Sequence, residues 1–433
     1  MVSPWSRAAE LAAATPASRN RAADFLRAAS ILVVVFGHWL MAAPFVDEEG
    51  SHIEHMLAVA PWSHWLTWAL QVMPVFFFVG GFSNGVTWEA ARRDGTPYRD
   101  WLDSRLRRLL GPVMPLLLFW ALAAAFAARA GVPAEMIRIG SQVALVPTWF
   151  LAVYLVVMFL VPLTRAAWRR FGMASFWGPA LGAVALDGAY FGLDQRALGW
   201  GNYLFVWVAV HQLGYAWHAG SFRARGRALL WAVGGLLALL LLTGLGPYPR
   251  SMVGVPGAEV SNTTPPHLPL LALAALQFGL AMAAEPALRR WLDRAGAWTG
   301  TVLLNGMIMT VFLWHSTVMM LLFGAAVLLG GVGLFLEPGT GAWWLGRLPW
   351  IAVFLLGMLP FLAVFGRFER PRPRAQTAAG GLQVAGGVLC CAGLAALAYG
   401  GAGGEGGLGI ALVPFGLAFG GALLAGILRV PAR

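Results

Sequence analysis

The feature that most limits what this chain can fold into is a series of apolar runs, each about 20 residues long. Such a run is long enough to cross the roughly 30 Å hydrocarbon core of a bilayer as a helix. Hydrophobic residues make up 59% of the chain and charged residues 11%, whereas a soluble domain carries about 25% charged residues. We therefore predict an all-α polytopic membrane helix bundle and exclude a water-soluble globule.

Twelve segments of the chain fit this description. Their approximate limits are 26–43, 65–88, 109–128, 147–164, 176–193, 202–217, 229–246, 268–285, 301–331, 343–365, 381–400 and 407–428. Arginine provides a separate test, because cytoplasmic loops of membrane proteins carry an excess of Lys and Arg. With the N-terminus inside, 25 of the 30 basic residues, all of them Arg, fall in predicted cytoplasmic segments. We therefore expect a multi-pass protein of the cell membrane with both termini in the cytoplasm.

The same arginines account for the net charge of +11. A strongly basic chain can bind nucleic acid, but these charges lie between apolar segments and act as orientation signals. We therefore expect the lipid bilayer, and no nucleic acid, as a partner. The two cysteines, Cys390 and Cys391, are adjacent in an apolar run. They predict neither a structural disulfide nor a metal cluster, and we expect no metal.

The chain divides into four predicted parts. A cytoplasmic N-terminal segment (1–23) precedes a membrane core of about ten spans (24–370). An Arg/Pro-rich linker (371–380) then leads to a C-terminal transmembrane hairpin (381–433) that contains almost no polar side chain. Any chemistry must therefore reside in the core helices and their short loops.

The few ionisable residues deep inside predicted spans include His38, Asp187, His211 and His315. Such a residue costs about 2.5–3.5 kcal/mol at a helix centre, so it usually faces a cavity lined by protein. Helical rise places His38, Asp187 and His315 about 18, 16 and 21 Å from the cytoplasmic helix ends. A histidine with a carboxylate partner is typical of a general base. Asp24 lies about 21 Å below His38 on the same helix, so Asp187 is the candidate partner.

A structural role is the alternative for several of these residues. His211 and His315 can equally serve helix packing, and Asp187 can be an interhelical hydrogen-bonding residue. We expect the remaining histidines to be solvated at interfaces or in loops: His52, His55, His64, His218 and His267.

A second cluster of interest is the arginine-rich loop after the second predicted span. It ends in Arg105, Arg107 and Arg108, and Arg105 and Arg108 fall on one helical face, because three residues nearly complete a turn. Guanidinium groups bind phosphate through forked donors. Topology signalling and contact with anionic lipid are the alternatives. Six arginines exceed what orientation requires, so we favour anion binding.

Several motifs resemble those of the integral-membrane acyltransferase family, acyltransferase type 3. In that family an Arg is followed after ten residues by a His in the first span, as Arg27 is followed by His38. An Arg-x-x-Arg motif follows the second span, as at Arg105 and Arg108. Residues 74–83 resemble the family's aromatic run, although Gly80 stands where Ser is usual. Residues 147–151 and 312–315 resemble two later motifs, so that the likeness covers about residues 20–370.

The resemblance implies transfer of an acyl group, commonly acetyl, from cytoplasmic acyl-CoA to a hydroxyl of a glycan or other acceptor. It implies His38 as general base, oriented by Asp187 or His315. The pantetheine arm of CoA spans on the order of 15–20 Å, comparable to the depth of His38 given by helical rise. The expected donor-binding residues are Arg27, Arg105, Arg107 and Arg108, and the expected substrate contacts are Ser83, Trp149 and His211.

A twelve-span transporter is the alternative function, because such proteins also carry both termini inside. Those transporters consist of two six-span halves joined by a long central loop, whereas the sixth connection here, residues 218–228, is short. The two halves also lack visible similarity. We therefore favour the acyltransferase interpretation.

Overall fold

The computed structural model describes residues 3–16, 18–369 and 378–428. The prediction of an all-α membrane bundle is confirmed, since the only strands in these residues form one hairpin, β1 (Ala42–Asp47) and β2 (Gly50–His55). Residues 371–377 of the predicted linker lie outside the described residues, as do Arg429 and Arg433.

The helices fall into two units, each considered by itself. Unit 1 comprises residues 1–43, 53–89 and 160–306, and unit 2 comprises residues 44–52, 90–159 and 307–433. The helices mainly in unit 1 are α1 (Pro4–Ala13), α2 (Arg21–Met41), α3 (Met56–Val59), α4 (Thr67–Leu70), α5 (Met73–Arg93), α10 (Val161–Phe171), α11 (Ala174–Gly192), α12 (Asn202–His218), α13 (Arg225–Leu245), α14 (Leu268–Leu292) and α15 (Ala295–Asn305). Those in unit 2 are α6 (Tyr98–Leu110), α7 (Val113–Arg129), α8 (Ala134–Leu145), α9 (Pro147–Phe159), α16 (Ile308–Leu328), α17 (Gly341–Phe365), α18 (Gly380–Gly400) and α19 (Leu412–Leu424). Short 3₁₀ helices occupy Pro61–Leu66, Arg196–Gly201 and Gly366–Glu369.

The number of helices that can cross a membrane is lower than the predicted twelve. Within the described residues, seven helices are long and apolar enough, or up to nine if each of two bent pairs is one span. The bent pairs are α6 with α7, at 41°, and α8 with α9, at 52°. The remaining predicted segments are the helices α11, α12 and α19. Helices α12 and α19 have only 17 and 13 residues, and α11 contains Asp187 and Pro179, which lower its mean hydropathy.

Small residues bring the helices of unit 1 into backbone contact. A β-carbon at Gly81 of α5 would lie 2.0 Å from the carbonyl oxygen of His211, and one at Gly214 of α12 would lie 2.1 Å from the carbonyl oxygen of Phe78. Such close approach is typical of membrane helices, which associate through packing rather than through a hydrophobic driving force. The α5–α12 contact therefore fixes the register of the polar side chains between these two helices.

Unit 2 is organised around the antiparallel pair α16 and α17. The chain turns between them through residues 329–340, where Gly331 and Gly333 have φ values of 83° and 76°. Only glycine adopts that conformation without strain. Beyond α17, α18 packs against both α19 and α9, so the predicted C-terminal hairpin is part of unit 2.

One predicted span is broken in the structure. The apolar segment 301–331 contains two helices, because α15 ends at Asn305 and α16 begins at Ile308. The break moves His315 to about 10 Å from the start of its own helix, by helical rise, instead of the expected 21 Å.

Candidate active site

Helix α2 carries Arg27 and His38 on one face. The helix starts where the Asn20 side chain accepts a hydrogen bond from the backbone N–H of Ala23 at 3.1 Å, and it continues unbroken to Met41. Eleven residues of α-helix make almost exactly three turns, so Arg27 and His38 lie about 16 Å apart along one stripe. His38 is half-buried.

The guanidinium of Arg27 is held by two neighbours. Its Nε and Nη2 donate to Asn305 Oδ1 at 3.1 and 2.6 Å, and Nη2 also donates to Asp24 Oδ1 at 2.9 Å. The other oxygen of Asp24 accepts from Arg19 Nε at 2.5 Å. Two arginines therefore share one carboxylate, which leaves a net positive charge at this end of α2.

Asp187 forms a hydrogen-bond cluster in which both carboxylate oxygens accept. Its Oδ1 accepts from Asn202 Nδ2 and His267 Nδ1, both at 2.7 Å. Its Oδ2 accepts from the Tyr248 hydroxyl at 2.8 Å and from the Leu268 backbone N–H at 2.9 Å. We call these five residues the Asp187 cluster.

The expected partnership of Asp187 with His38 is wrong, because these four donors already occupy both carboxylate oxygens. The residues that bind Asp187 come from the start of α12 and from both ends of the connection between α13 and α14. The cluster therefore ties that connection to α11. The expectation of a solvated His267 is also wrong, since the residue is 0% exposed.

Electrostatics within the Asp187 cluster keep Tyr248 protonated. Burial and the negative charge of Asp187 raise the pKa of the Tyr248 phenol well above its usual value. The hydroxyl therefore remains a hydrogen-bond donor at every physiological pH. The imidazole Nε2 of His267 is buried and has no hydrogen-bond partner in the part of the chain that the structure describes.

His211 lies in the α5–α12 contact and is fully buried. Its Nε2 is 3.2 Å from Asn84 Nδ2. An amide NH₂ can only donate, so Nε2 is the acceptor and the ring proton of neutral His211 is on Nδ1. That Nδ1 has no partner among the described residues. Ser83, the residue before Asn84, is half-buried.

A partly buried ion pair of unit 1 was not predicted from the sequence. Arg165 of α10 pairs with Glu89 of α5, and the second oxygen of Glu89 accepts from His218 Nε2 at 2.7 Å. Arg165 was expected to serve only as an orientation signal, and His218 was expected to be solvated. Arg165 is 7% exposed, and only tertiary packing reveals that burial.

The three arginines of α6 differ in what they contact. Arg107 forms a bidentate salt bridge with Asp103, at 2.6 and 2.9 Å. Arg105 is half-buried over the ring of Trp101, with 5.8 Å from its Cζ to the ring centroid, and Arg108 is exposed. Neither Arg105 nor Arg108 forms a salt bridge within the described residues.

Arg105 and Arg108 therefore have the properties of an anion site. The Nε of Arg105 is buried without a hydrogen-bond partner in the described chain, and the two guanidinium groups repel each other. A bound phosphate would satisfy the donor and relieve the repulsion. Asp103 neutralises the charge of Arg107, so Arg107 contributes less to anion binding than Arg105 and Arg108.

The start of α16 lies at the same end of unit 2 as these arginines. The Glu369 carboxylate accepts from the Thr310 backbone N–H at 2.6 Å and from the Thr310 hydroxyl. It therefore caps the first turn of α16. Glu369 also interacts electrostatically with Arg108.

A backbone contact fixes one proton on His315, two turns into α16. Its Nδ1 lies 2.6 Å from the Phe312 carbonyl oxygen, which can only accept, so Nδ1 carries the proton. Its Nε2 lies 3.1 Å from the Ser316 hydroxyl and accepts from it when the ring is neutral. The ring is fully buried, with its tautomer fixed by the backbone.

Trp149, an expected substrate contact, lies in the first turn of helix α9 in unit 2 and is half-buried. Its ring meets that of Phe150 edge-on at 6.3 Å, and Phe150 in turn packs against Phe312 at 5.8 Å. Trp149 is therefore linked by aromatic packing to the turn of α16 that carries His315. The described residues contain no group of three or more His, Cys, Asp or Glu side chains able to hold a metal ion.

Comparison with known proteins places these residues in a family. A model described as an acyltransferase domain, acyltransferase type 3, matches residues 20–366, about four-fifths of the chain. The match includes Arg27, His38, Arg105, Arg108 and His315, and it ends before α18. No curated protein and no solved structure matches the chain. The chain therefore belongs to the type 3 acyltransferase family, and its apolar helices make it a membrane protein with an acyltransferase domain.

Proposed function

We propose that this protein transfers an acyl group, commonly acetyl, from acyl-CoA to a hydroxyl of a glycan or other envelope acceptor. The observation that carries the proposal is the stripe on α2, which presents Arg27 and His38 three turns apart inside the matched acyltransferase domain. A hydroxyl acceptor needs a base within the membrane, and an imidazole is the side chain whose unperturbed pKa lies nearest to neutrality.

Arg105 and Arg108 are the proposed binding residues for the phosphates of the donor. The support is chemical: within the described residues neither arginine forms a salt bridge, and the buried Nε of Arg105 has no hydrogen-bond partner. Arg27 adds a fixed positive charge, because Asn305 and Asp24 restrain its guanidinium. The donor is cytoplasmic, so this proposal places the α6 arginines and both termini on the cytoplasmic side of the cell membrane.

His38 is the proposed general base. Its neutral imidazole takes the proton of the acceptor hydroxyl as that oxygen attacks the thioester carbonyl carbon. The carbon–sulfur bond then breaks, and the imidazolium returns the proton to the departing thiolate. The reaction yields the acyl ester and free CoA, and it requires neither a covalent acyl-enzyme nor a metal.

The other expected site residues divide into two groups. His315 has a fixed tautomer with an acceptor at Nε2, so we assign it to orienting a hydroxyl, together with Trp149. Asp187 and His211 lie in buried helix contacts of unit 1, and we assign both to holding the helices in place. Ser83 remains a proposed substrate contact.

The test uses the purified full-length protein in nanodiscs with acetyl-CoA and a crude envelope glycan fraction. Free thiol release reports consumption of the donor. We expect His38→Ala to lower turnover by about 10²–10⁴-fold, the contribution typical of a general base. His52→Ala, in the exposed β1–β2 hairpin, is the matched control and should retain activity.

Two outcomes would contradict the proposal. Full activity of His38→Ala at an unchanged melting temperature would remove His38 from the chemistry. Acetyl-CoA left intact by the wild-type protein with every glycan fraction would argue against acyl transfer and in favour of the transporter alternative.

A further inference from the structure

A cleft in unit 2 contains a buried arginine with an unused donor. The cleft opens to the outside of unit 2 and is lined by Pro44, Leu334, Leu336, Trp343, Arg347 and Trp350, among others. Arg347 is 3% exposed and forms no salt bridge with any residue that the structure describes. Its Nη1 is buried with no hydrogen-bond partner in the same part of the chain.

The walls of the cleft are aromatic and fixed in position. Trp343, Arg347 and Trp350 lie one turn apart along one face of α17. The guanidinium carbon of Arg347 is 4.0 Å from the ring centroid of Trp343, which holds the side chain in place by a cation–π contact. On the other side, the Trp350 indole N–H donates to the Gly333 carbonyl at 3.0 Å. The 329–340 turn is therefore fastened to α17.

A hydrogen bond also holds this turn against strand β1. The backbone N–H of Val46 donates to the Leu334 carbonyl at 2.8 Å. These two hydrogen bonds hold the rim of the cleft before any ligand binds, and a preformed site loses less entropy on binding.

The arrangement differs from an ordinary interfacial anchor. Arg250 in unit 1 also stacks on a tryptophan, Trp65, at 4.7 Å, but it is exposed. An arginine that anchors a helix extends its charged end into water or headgroups while only its stem is buried. Arg347 instead buries its charged end without a counter-ion, which is costly unless a ligand supplies one.

The cleft lies at the end of unit 2 opposite to Arg105 and Arg108. Those arginines are at the end where Glu369 caps α16 and interacts with Arg108. Arg347 lies near the start of α17, and about 27 Å of helix separates it from Phe365 near that capped end. This distance approaches the thickness of the hydrocarbon core.

We propose that the Arg347 cleft binds the carboxylate of an acidic sugar unit in the acyl acceptor, on the side of the membrane opposite to the donor phosphates. The planar guanidinium matches a carboxylate, and Trp350, which is half-buried, offers apolar surface at the mouth of the cleft for a sugar ring. The cleft is open and has room for little more than one water-sized group, so it holds the carboxylate while the sugar ring lies at its mouth. The acceptor role rests on the proposed acyl transfer, whereas the binding of an acidic sugar does not.

The binding test uses the full-length protein in phosphatidylcholine nanodiscs, with D-glucuronate and D-glucose as probes. Saturation-transfer NMR, which detects weak ligands, should give a signal for glucuronate at least tenfold stronger than for glucose. Arg347→Gln should abolish the difference between the two sugars. Arg250→Gln is the matched control, because it removes an arginine stacked on a tryptophan outside the cleft.

A second variant covers the case in which Arg347→Gln folds poorly. A β-carbon at Gly346 would lie 2.8 Å from Leu336 Cδ1 in the cleft wall, so Gly346→Val should narrow the cleft while keeping the guanidinium. Loss of the glucuronate signal at an unchanged melting temperature would support the proposal. Equal glucuronate binding by wild type, Arg347→Gln and Gly346→Val would overturn it.

Two further outcomes distinguish acidic-sugar binding at Arg347 from lipid binding and from the proposed enzyme function. If trace amounts of phosphatidylglycerol in the nanodisc displace glucuronate, Arg347 binds a lipid headgroup and the proposal is overturned. With acetyl-CoA present, Arg347→Gln should raise the KM for an acidic acceptor and leave that for acetyl-CoA unchanged. If no acceptor is acylated but Arg347-dependent glucuronate binding persists, the site stands and the proposed enzyme function fails.

Discussion

The Asp187 cluster and the Arg347 cleft differ in how far the protein itself satisfies the hydrogen bonds of a buried charged group. Asp187, 2% exposed, receives four hydrogen bonds from its own chain. Arg347, 3% exposed, has an Nη1 with none among the described residues. Burial alone therefore does not identify a functional residue. What distinguishes the two is whether the protein itself satisfies the buried group, because an unsatisfied group is stable only with a ligand or at a cost in stability.

The largest expected effect is on the Asp187 cluster. Asp187→Ala leaves the donors of Asn202, Tyr248, His267 and Leu268 without their acceptor, and we expect a loss of about 3–5 kcal/mol in the free energy of unfolding. Thermal unfolding in detergent would measure it. Asp187→Asn is the matched control, since it retains one carbonyl oxygen and should lose less. A wild-type melting temperature for Asp187→Ala would show that the cluster does not hold the fold together.

The α6 arginines should give the next largest effect, on binding rather than stability. Replacing Arg105 and Arg108 together with Gln removes charge-assisted hydrogen bonds worth about 1.5–3 kcal/mol each. We expect the KM for acetyl-CoA to rise by about 10²–10⁴-fold, measured by thiol release at varied donor concentration. Melting should not change, because neither side chain forms a salt bridge in the described residues. An unchanged KM would assign the pair to orientation in the membrane.

Tyr248→Phe should have a smaller effect on stability. It removes one hydrogen bond to Asp187, for which we expect a loss of about 1 kcal/mol. The raised pKa of Tyr248 in the folded protein means that the folded state holds this proton more tightly than the unfolded chain. Its stabilising effect is therefore complete below pH ~10, the usual phenol pKa, and is lost as the pH rises further. Wild type should lose stability between pH 9 and 11 more steeply than Tyr248→Phe, and equal slopes would contradict this.

Arg107→Gln should have the smallest effect. The salt bridge to Asp103 joins residues four apart on one partly exposed helix, and such pairs contribute below about 1 kcal/mol. We expect a melting temperature close to that of the wild type and an unchanged KM for acetyl-CoA. If the KM for acetyl-CoA rises as much as in the Arg105 and Arg108 double variant, Arg107 also binds the donor.

Much of the candidate site was predictable because its spacing is local. The Arg27 to His38 stripe and the Arg105 to Arg108 pair both follow from 3.6 residues per turn, which any continuous helix supplies. Family membership, confirmed over residues 20–366, rests on the same short motifs. The position of His315 was wrong in depth, since hydropathy alone does not reveal that the apolar segment breaks between Asn305 and Ile308.

The partners of the buried charges were not predictable. Asp187 and His267 are 80 residues apart, and Glu89 lies 76 residues from Arg165. Each pair meets only because an intervening run of helices packs and returns the chain. Nothing in the residues around His267 indicates that a loop histidine is fully buried.

The sequence by itself determined a membrane-embedded helical protein with an arginine and a histidine on one helix face, because bilayer thickness and helical periodicity act on neighbouring residues. The tertiary structure alone decided which buried charges are satisfied. Asp187 accepts hydrogen bonds from four donors. Arg347 stacks on Trp343, and its Nη1 has no hydrogen-bond partner among the described residues. The reason is that hydrogen bonds depend on distances of about 3 Å between atoms, and only the packed chain sets such distances between residues far apart in sequence.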